Sequence, residues 1–316
     1  MSYLPCELHC HTLHSDGKFE VKQLLQTAKD DHITLIALTD HNTTSGWSEL
    51  DDSILPAIRG IEWTTYFGHM LVLGADKFVD WRDATPDNID EKINQVKACG
   101  GVVGVAHPFQ IGSPVCTGGR WEFNVKNWRN VDYIEICHEA FSFDNYENDK
   151  AIAFWTELLD KGYHICATYG RDWHSDEAKG HYGITYLDID GEINQQTAKR
   201  AIRMGKTTVS TGAKFFLRAH QNGRTYNLGE TMQAGEAVFT FYCDLYARRK
   251  NAGDENVEYT TVKIVTNGGK CVLETDLTAR HLIANLQPQS WYRAELWGTV
   301  NSVPKLLAIT SPIYTE

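Results

Sequence analysis

The chain has 316 residues, 42% of them apolar, and a formal net charge of −11. That length supports one large core or two smaller ones, because single cores stop growing at roughly 250–300 residues. The acidic balance offers no basic footprint for a long nucleic acid or an anionic membrane, and no stretch approaches the roughly 18 apolar residues of a membrane-spanning helix.

ELHCH is the first strand-like run, and residues 21–31 follow as a helix with apolar positions at Val21, Leu24, Leu25 and Ala28. ITLIAL (33–38) reads as a buried strand running straight into Thr39-Asp40-His41. PAIRGIEW (56–63) and HMLVLGA (69–75) are the next strands, and the helix predicted over 87–99 is ended by Gly100-Gly101. GVVGVAHP (101–108), YIEIC (133–137), a helix over 148–161, HICATYG (164–170) and a short helix near 195–204 complete the pattern. Such alternation predicts parallel strands wrapped by helices.

Helical periodicity stops after Ser210-Thr211-Gly212. AVFTFYCDLY (237–246), YTTVKIVT (259–266), KCVLET (270–275), YRAELWG (292–298) and LLAITSPIY (306–314) read as strands, with TNGGK a hairpin signal between two of them. The expected organisation is an α/β domain over 1–212 and an antiparallel β-sandwich domain over 213–316. The opening MSYLPCELHC lacks the basic-then-apolar order of a secretory leader. Eight cysteines at 6, 10, 99, 116, 137, 166, 243 and 271 form no CxxC pair and are expected to be buried, reduced thiols in a cytoplasmic protein.

Polar residues gather where the predicted strands end. His9 and His11 are i,i+2 on one strand and face the same way, as are Asp172 and His174; Asp40-His41, Glu62 and His107 close three other strands. If strand C-termini converge on one rim, as in a βα barrel, these imidazoles and carboxylates share a pocket. Crowded carboxylates repel, and buried charge is costly unless paired or metal-bound. Imidazole with carboxylate suits Mn, Fe or Zn better than Ca or Mg. No thiolate pair is placed to close a structural zinc site, so an open, catalytic site is expected.

HxHxxxSDG at 9–17, TDH at 39–41, GIEW at 60–63, AHP at 106–108 and GRDWH at 170–174 resemble, in the same order, the motifs of the PHP (polymerase and histidinol phosphatase) family. The resemblance covers roughly residues 5–212. It implies a distorted seven-stranded (β/α) barrel, TIM-like, holding two or three divalent metal ions at the strand ends. RAELWG and ITSPIY, in the region behind it, resemble the carbaryl-hydrolase-like branch. Carried over position by position, His9, His11, Glu62 and Asp172 match the ligands of a first metal. Glu62 bridges to a second, completed by His69 and His107, and Asp16, His41 and His174 match a third set. All nine positions hold a suitable residue.

The implied activity is hydrolysis of a small phosphate ester by metal-activated water, with Glu62 and Asp172 acting through the metals and no Ser or Cys nucleophile. An ester, carbamate or amide substrate is the alternative, and a ligand-binding protein with structural metals is the second alternative. No oligomeric state is readable. Beside the ligands, Asp40 is a candidate to hydrogen-bond the metal loop, cap a helix or protonate the leaving group. Arg120 is a candidate phosphate anchor, and Glu135 and His138 are candidates to line the pocket. His14 reads as a loop residue. Arg171, between two ligand positions, should point to the opposite face, and His181, His220 and His281 read as surface or structural.

Overall fold

The computed structural model describes residues 2–111, 119–138, 146–176, 182–247 and 256–316, so Cys116 and His181 lie outside the described residues. Among the described residues, nine strands and four α-helices span the first two thirds of the chain: β1 (Ser2–Cys10), α1 (Val21–Asp30), β2 (Leu35–Leu38), β3 (Ala57–Thr65), β4 (Gly68–Leu73), α2 (Ile89–Ala98), β5 (Val102–Val105), β6 (Tyr133–His138), α3 (Tyr146–Asp160), β7 (Cys166–Gly170), β8 (Ile184–Ile189), α4 (Gln195–Arg203) and β9 (Thr207–Ser210). Helix α1 buries the four apolar positions that its period selects. Helix α4 starts at a capping box, in which Asn194 Oδ1 accepts from the Thr197 backbone N–H (3.0 Å) and the Thr197 hydroxyl accepts from the Asn194 N–H (3.1 Å).

These strands follow the order β9-β8-β1-β2-β3-β4-β5-β6-β7. Pairing is parallel from β1 to β3 and from β5 to β7. It is antiparallel at β3–β4, β4–β5, β1–β8 and β8–β9. The wholly parallel expectation is therefore wrong at β4. Only Tyr66 and Phe67 separate β3 from β4, whereas a parallel crossover needs about a dozen residues. The β1-to-β7 part of this path is tied at its ends: the His11 N–H donates to the Trp173 carbonyl (2.9 Å) and the Trp173 N–H to the His9 carbonyl (3.0 Å).

Past Ser210 come β10 (Lys214–Gln221), β11 (Arg224–Tyr226), β12 (Thr231–Met232), β13 (Gly235–Asp244), β14 (Val257–Thr266), β15 (Lys270–Asp276), β16 (Leu282–Leu286), β17 (Trp291–Val300), β18 (Val303–Thr310) and β19 (Ile313–Thr315). A small sheet, β11-β10-β13-β16, shares a core with the β14–β17 layer through Phe215, Leu217 and Phe239 on one side and Val262, Ile264 and Leu296 on the other. The strand expected over 306–314 is interrupted at Ser311-Pro312, where proline has no N–H to give a ladder. Strand β18 pairs with both β17 and β9, so one sheet runs from the first region into the second.

A second joint grips α3. Asp160 accepts from the Trp291 indole N–H (2.8 Å) and the Gly268 backbone N–H (3.0 Å). Buried Arg293 donates to the Thr156 hydroxyl (2.9 Å) and to Glu295 (2.9 Å). At the other end of the same helix, Asn148 Oδ1 accepts the backbone N–H of His138 (3.1 Å). Among the described residues no helix is long and apolar enough to cross a membrane.

Candidate metal centre

The end of β1 carries His9 and the residue just past the strand is His11, both fully buried. Glu62 rises from the middle of β3 into the space beside them. Its Oε2 lies 3.2 Å from His9 Nε2 and 2.8 Å from His41 Nδ1, and its Oε1 lies 2.8 Å from His69 Nδ1 and 3.2 Å from His107 Nε2. Asp172, just past β7, sets Oδ1 2.8 Å from His11 Nε2 and 3.3 Å from His9 Nε2. On the outer side Asp16 Oδ1 stands 3.1 Å from His174 Nε2 and 3.4 Å from His41 Nε2. Gly17 lets this loop fold back on β1, since a Cβ there would collide with the His11 carbonyl group. His107 and Asp172 both hold positive φ (24° and 51°), a conformation that costs a residue with a side chain on the order of 1–3 kcal/mol.

Donor atoms fall into groups lying within 4.8 Å of one another: His9, His11, Glu62 and Asp172; Glu62, His69 and His107; His11, Asp16, His41 and His174. All nine residues expected to be ligands thus lie in one connected cluster. Its interior holds buried atoms with no aligned hydrogen-bond partner, among them His9 Nε2, His11 Nε2, His69 Nε2, Glu62 Oε2 and Asp172 Oδ1. Each such atom costs about 1–3 kcal/mol if nothing fills its valence. The hydrogen bonds that do form orient the rings. His9 Nδ1 donates to Glu135 Oε1 (3.0 Å) and His174 Nδ1 to the Asp172 carbonyl (2.7 Å), so that in the neutral imidazole each Nε2 presents a lone pair to the cluster. Lone pairs and carboxylate oxygens facing one another at 2.8–3.5 Å fit divalent cations.

Charge balance in the ion-free cluster agrees with this. Burial would raise Glu62 and Asp172, but the imidazoles around them, His9 foremost, hold both carboxyls well below the usual range. Burial would lower His9, but Glu135, Asp172 and Glu62 push it well above. Burial also lowers His11 and His107. Burial pulls on His174 too, but Asp16 and Asp172 raise it to about 9, and His174 holds Asp16 down at about 2.

A family model, the PHP domain, matches residues 7–215. The chain belongs to the PHP domain family. An uncharacterized protein of Methanocaldococcus jannaschii is 30% identical over 47% of this chain and 90% of its own length. A two-domain protein from Bacteroides vulgatus, containing a predicted PHP-like metal-dependent phosphoesterase, superposes with a TM-score of 0.56 at 15% identity, covering 98% of this chain and 95% of that one. At that identity the likeness concerns the fold.

Within this PHP domain the other singled-out residues occupy distinct places. Asp40, 2% exposed, accepts from the Thr12 N–H (2.7 Å), the Thr12 hydroxyl (2.8 Å) and the Ser15 hydroxyl (2.8 Å), so it staples the loop that carries Asp16. His14 bridges Ser45 and Glu49 at 2.8 Å each, outside the cluster. Arg171 points away, stacked on Trp173 and Tyr182 with its guanidinium carbon 3.7 and 4.0 Å from the ring centroids. Arg120 is exposed and pairs with Phe109, two residues beyond His107. His138 reaches Asp172 Oδ2 at 3.1 Å.

Two carboxylates took no ligand role in the sequence pattern yet hold the ligands in place. Glu135 orients His9 through Oε1 and accepts the His107 backbone N–H at Oε2 (3.0 Å). Gly170 leaves it room, since a Cβ there would collide with the Glu135 carboxylate. Glu7 accepts the backbone N–H groups of His9 and Arg171 (3.2 Å each), and burial pushes it up to about 7. The available signal was an acidic residue inside an apolar strand, in CELHC and again in YIEIC.

Proposed function

We propose that this chain is a metal-dependent hydrolase acting on a small phosphate ester, with His9, His11, Asp16, His41, Glu62, His69, His107, Asp172 and His174 holding two or three Mn, Fe or Zn ions. The observation that carries this reading is the set of buried, unpartnered nitrogen and oxygen atoms converging at the strand ends. Divalent ions bound there supply Lewis-acid polarisation of the ester and a nucleophile drawn from water near neutral pH. The chain's own part is placement. Glu62 spans two donor groups, Asp172 faces His9 and His11 through one oxygen, Glu135 and Glu7 fix the rings and backbone, and Asp40 pins the Asp16 loop. Arg120 is the proposed anchor for the phosphate. The β1–β7 path, tied at its ends, is taken as the family's distorted barrel, and residues 213–316 as a second, sandwich-like domain.

The test is metal content by mass spectrometry on gently purified protein, followed by a panel of phosphomonoesters, phosphodiesters and aryl esters. Two or three transition ions per chain and turnover confined to the phosphate compounds support the reading. A chain that holds no ion after Mn, Fe and Zn are offered overturns it. Ester or carbamate cleavage is the second reading, that of the carbaryl-hydrolase-like branch. It would draw on the aromatic residues near His69, where Trp121 packs over Gly68 and Phe123 stands 5.1 Å from Trp121. Turnover of aryl esters alone would select it.

A further inference from the structure

One imidazole at the cluster stands outside the nine. His138 closes β6, is 5% exposed, and has its backbone fixed by Asn148 at the start of α3. Its ring lies edge-on to that of His107, centroids 4.6 Å apart and planes at 62°. The donor atoms of His107, His138 and Asp172 come within 4.8 Å of one another, the same spread as in the groups above. Two atoms bound to one transition ion at about 2.0–2.2 Å stand roughly 3.3–3.6 Å apart in tetrahedral geometry, slightly wider than a hydrogen bond. His138 Nε2 and Asp172 Oδ2 are 3.1 Å apart. Asp172 can serve two positions, because its other oxygen faces His9 and His11.

His107 belongs to two donor groups, one with Glu62 and His69 and one with His138 and Asp172. Its Nδ1 is buried without a hydrogen-bond partner, while its Nε2 lies 3.2 Å from Glu62. His69 and His138 share no group, so an ion bound through His107 has two ways to complete its coordination. We propose that the second metal ion has two alternative seats sharing His107, one completed by Glu62 and His69 and the other by His138 and Asp172. The ligand class is a divalent transition cation, since each seat combines imidazole with carboxylate. In the second seat Asp172 becomes the bridge that Glu62 is in the first, and the spacing between the ions changes with the seat. This inference rests on the metal-dependent reading above.

The experiment uses the full chain loaded with Zn or Co, with ion count and affinity by mass spectrometry and chelator competition, and ion positions by anomalous scattering from crystals. His69→Ala keeps the wild-type ion count, with the second ion held about 10–100-fold more weakly, and its crystals place an anomalous peak within about 2.0–2.2 Å of His138 Nε2. The double variant His69→Ala with His138→Gln loses one ion per chain. Glutamine retains a donor for Asp172 but is a poor ligand for these metals, so an unchanged count in that double variant would assign His138 to orienting Asp172 and overturn the proposal. Loss of the ion in His69→Ala alone would overturn it as well. Wild-type protein that binds no ion fails the parent reading. Wild-type protein with its full complement, beside an ion-deficient His69→Ala, fails this one only.

Discussion

Arg293 and His9 are both buried side chains with polar heads in the middle of sheet structure, and they are treated differently. Arg293, in β17, finds Glu295 and Thr156 within 2.9 Å and completes a joint between β17 and α3. His9, in β1, is held at Nδ1 by Glu135, while its Nε2 is turned toward two carboxylates with no aligned partner. The region after Ser210 pairs its buried Arg293 with Glu295 on the same strand, whereas the strand ends of the PHP domain gather imidazoles and carboxylates whose inner atoms lack an aligned partner within the protein. A site that binds an ion only when folded is stabilised as the logarithm of free ion concentration above its Kd, and a self-paired joint is not. The two regions should therefore respond differently to metal.

The sharpest break in that contrast is at Glu62. Glu62→Ala removes the carboxylate common to two donor groups, and is expected to lower hydrolysis by more than about 100-fold and to strip ions measured by mass spectrometry. Phe239→Ala, in the core of the small sheet, should cost about 3–5 kcal/mol of folding free energy, read by denaturant titration. Its ion count per folded chain should stay at the wild-type value; a lower count would mean the two regions are not separable in this way. Glu135→Gln should lie between them, with ion affinity falling about 10–100-fold through misorientation of His9.

A pH titration sharpens the comparison further. In the ion-free protein His174 is raised to about 9, so below that pH it holds a proton that an incoming ion must displace. Apparent affinity at the Asp16–His41–His174 group should climb about tenfold per unit of pH for each proton displaced and flatten above pH 9, followed by chelator-buffered cobalt titration. A flat profile from pH 6 to 9 would mean that no proton held at this group is displaced by the ion in that range. The smallest effect belongs to the exposed edge of the region after Ser210. Val272→Thr, at a residue 40% exposed on β15, should change stability by less than about 0.5 kcal/mol and leave ion binding untouched.

The convergence of seven of the nine residues was legible because the evidence for it is local, while Asp16 and His69 were reached through the resemblance to the PHP family. An i,i+2 spacing puts His9 with His11 on one face, and a strand's end puts its last polar residue on the rim. Helix α1 was legible for the same reason, in its apolar period. What escaped depends on partners far apart in the chain. Glu135 announces itself as an acid in an apolar strand, but its role comes from His9 and from the room left by Gly170. The antiparallel turn of β4 was written in the two-residue link at Tyr66-Phe67, and the period of the strands outweighed it. Nothing local in LLAITSPIY says that it will pair with residues 208–210.

That last pairing affects how the molecule is made. Synthesis adds about 5–20 residues each second, so β1 to β9 emerge well before Val303–Thr310 exists to cover β9. Throughout that interval the nascent sheet ends in an open strand edge, a template for wrong partners. The PHP domain is thus exposed to mispairing on the ribosome until β18 docks against it.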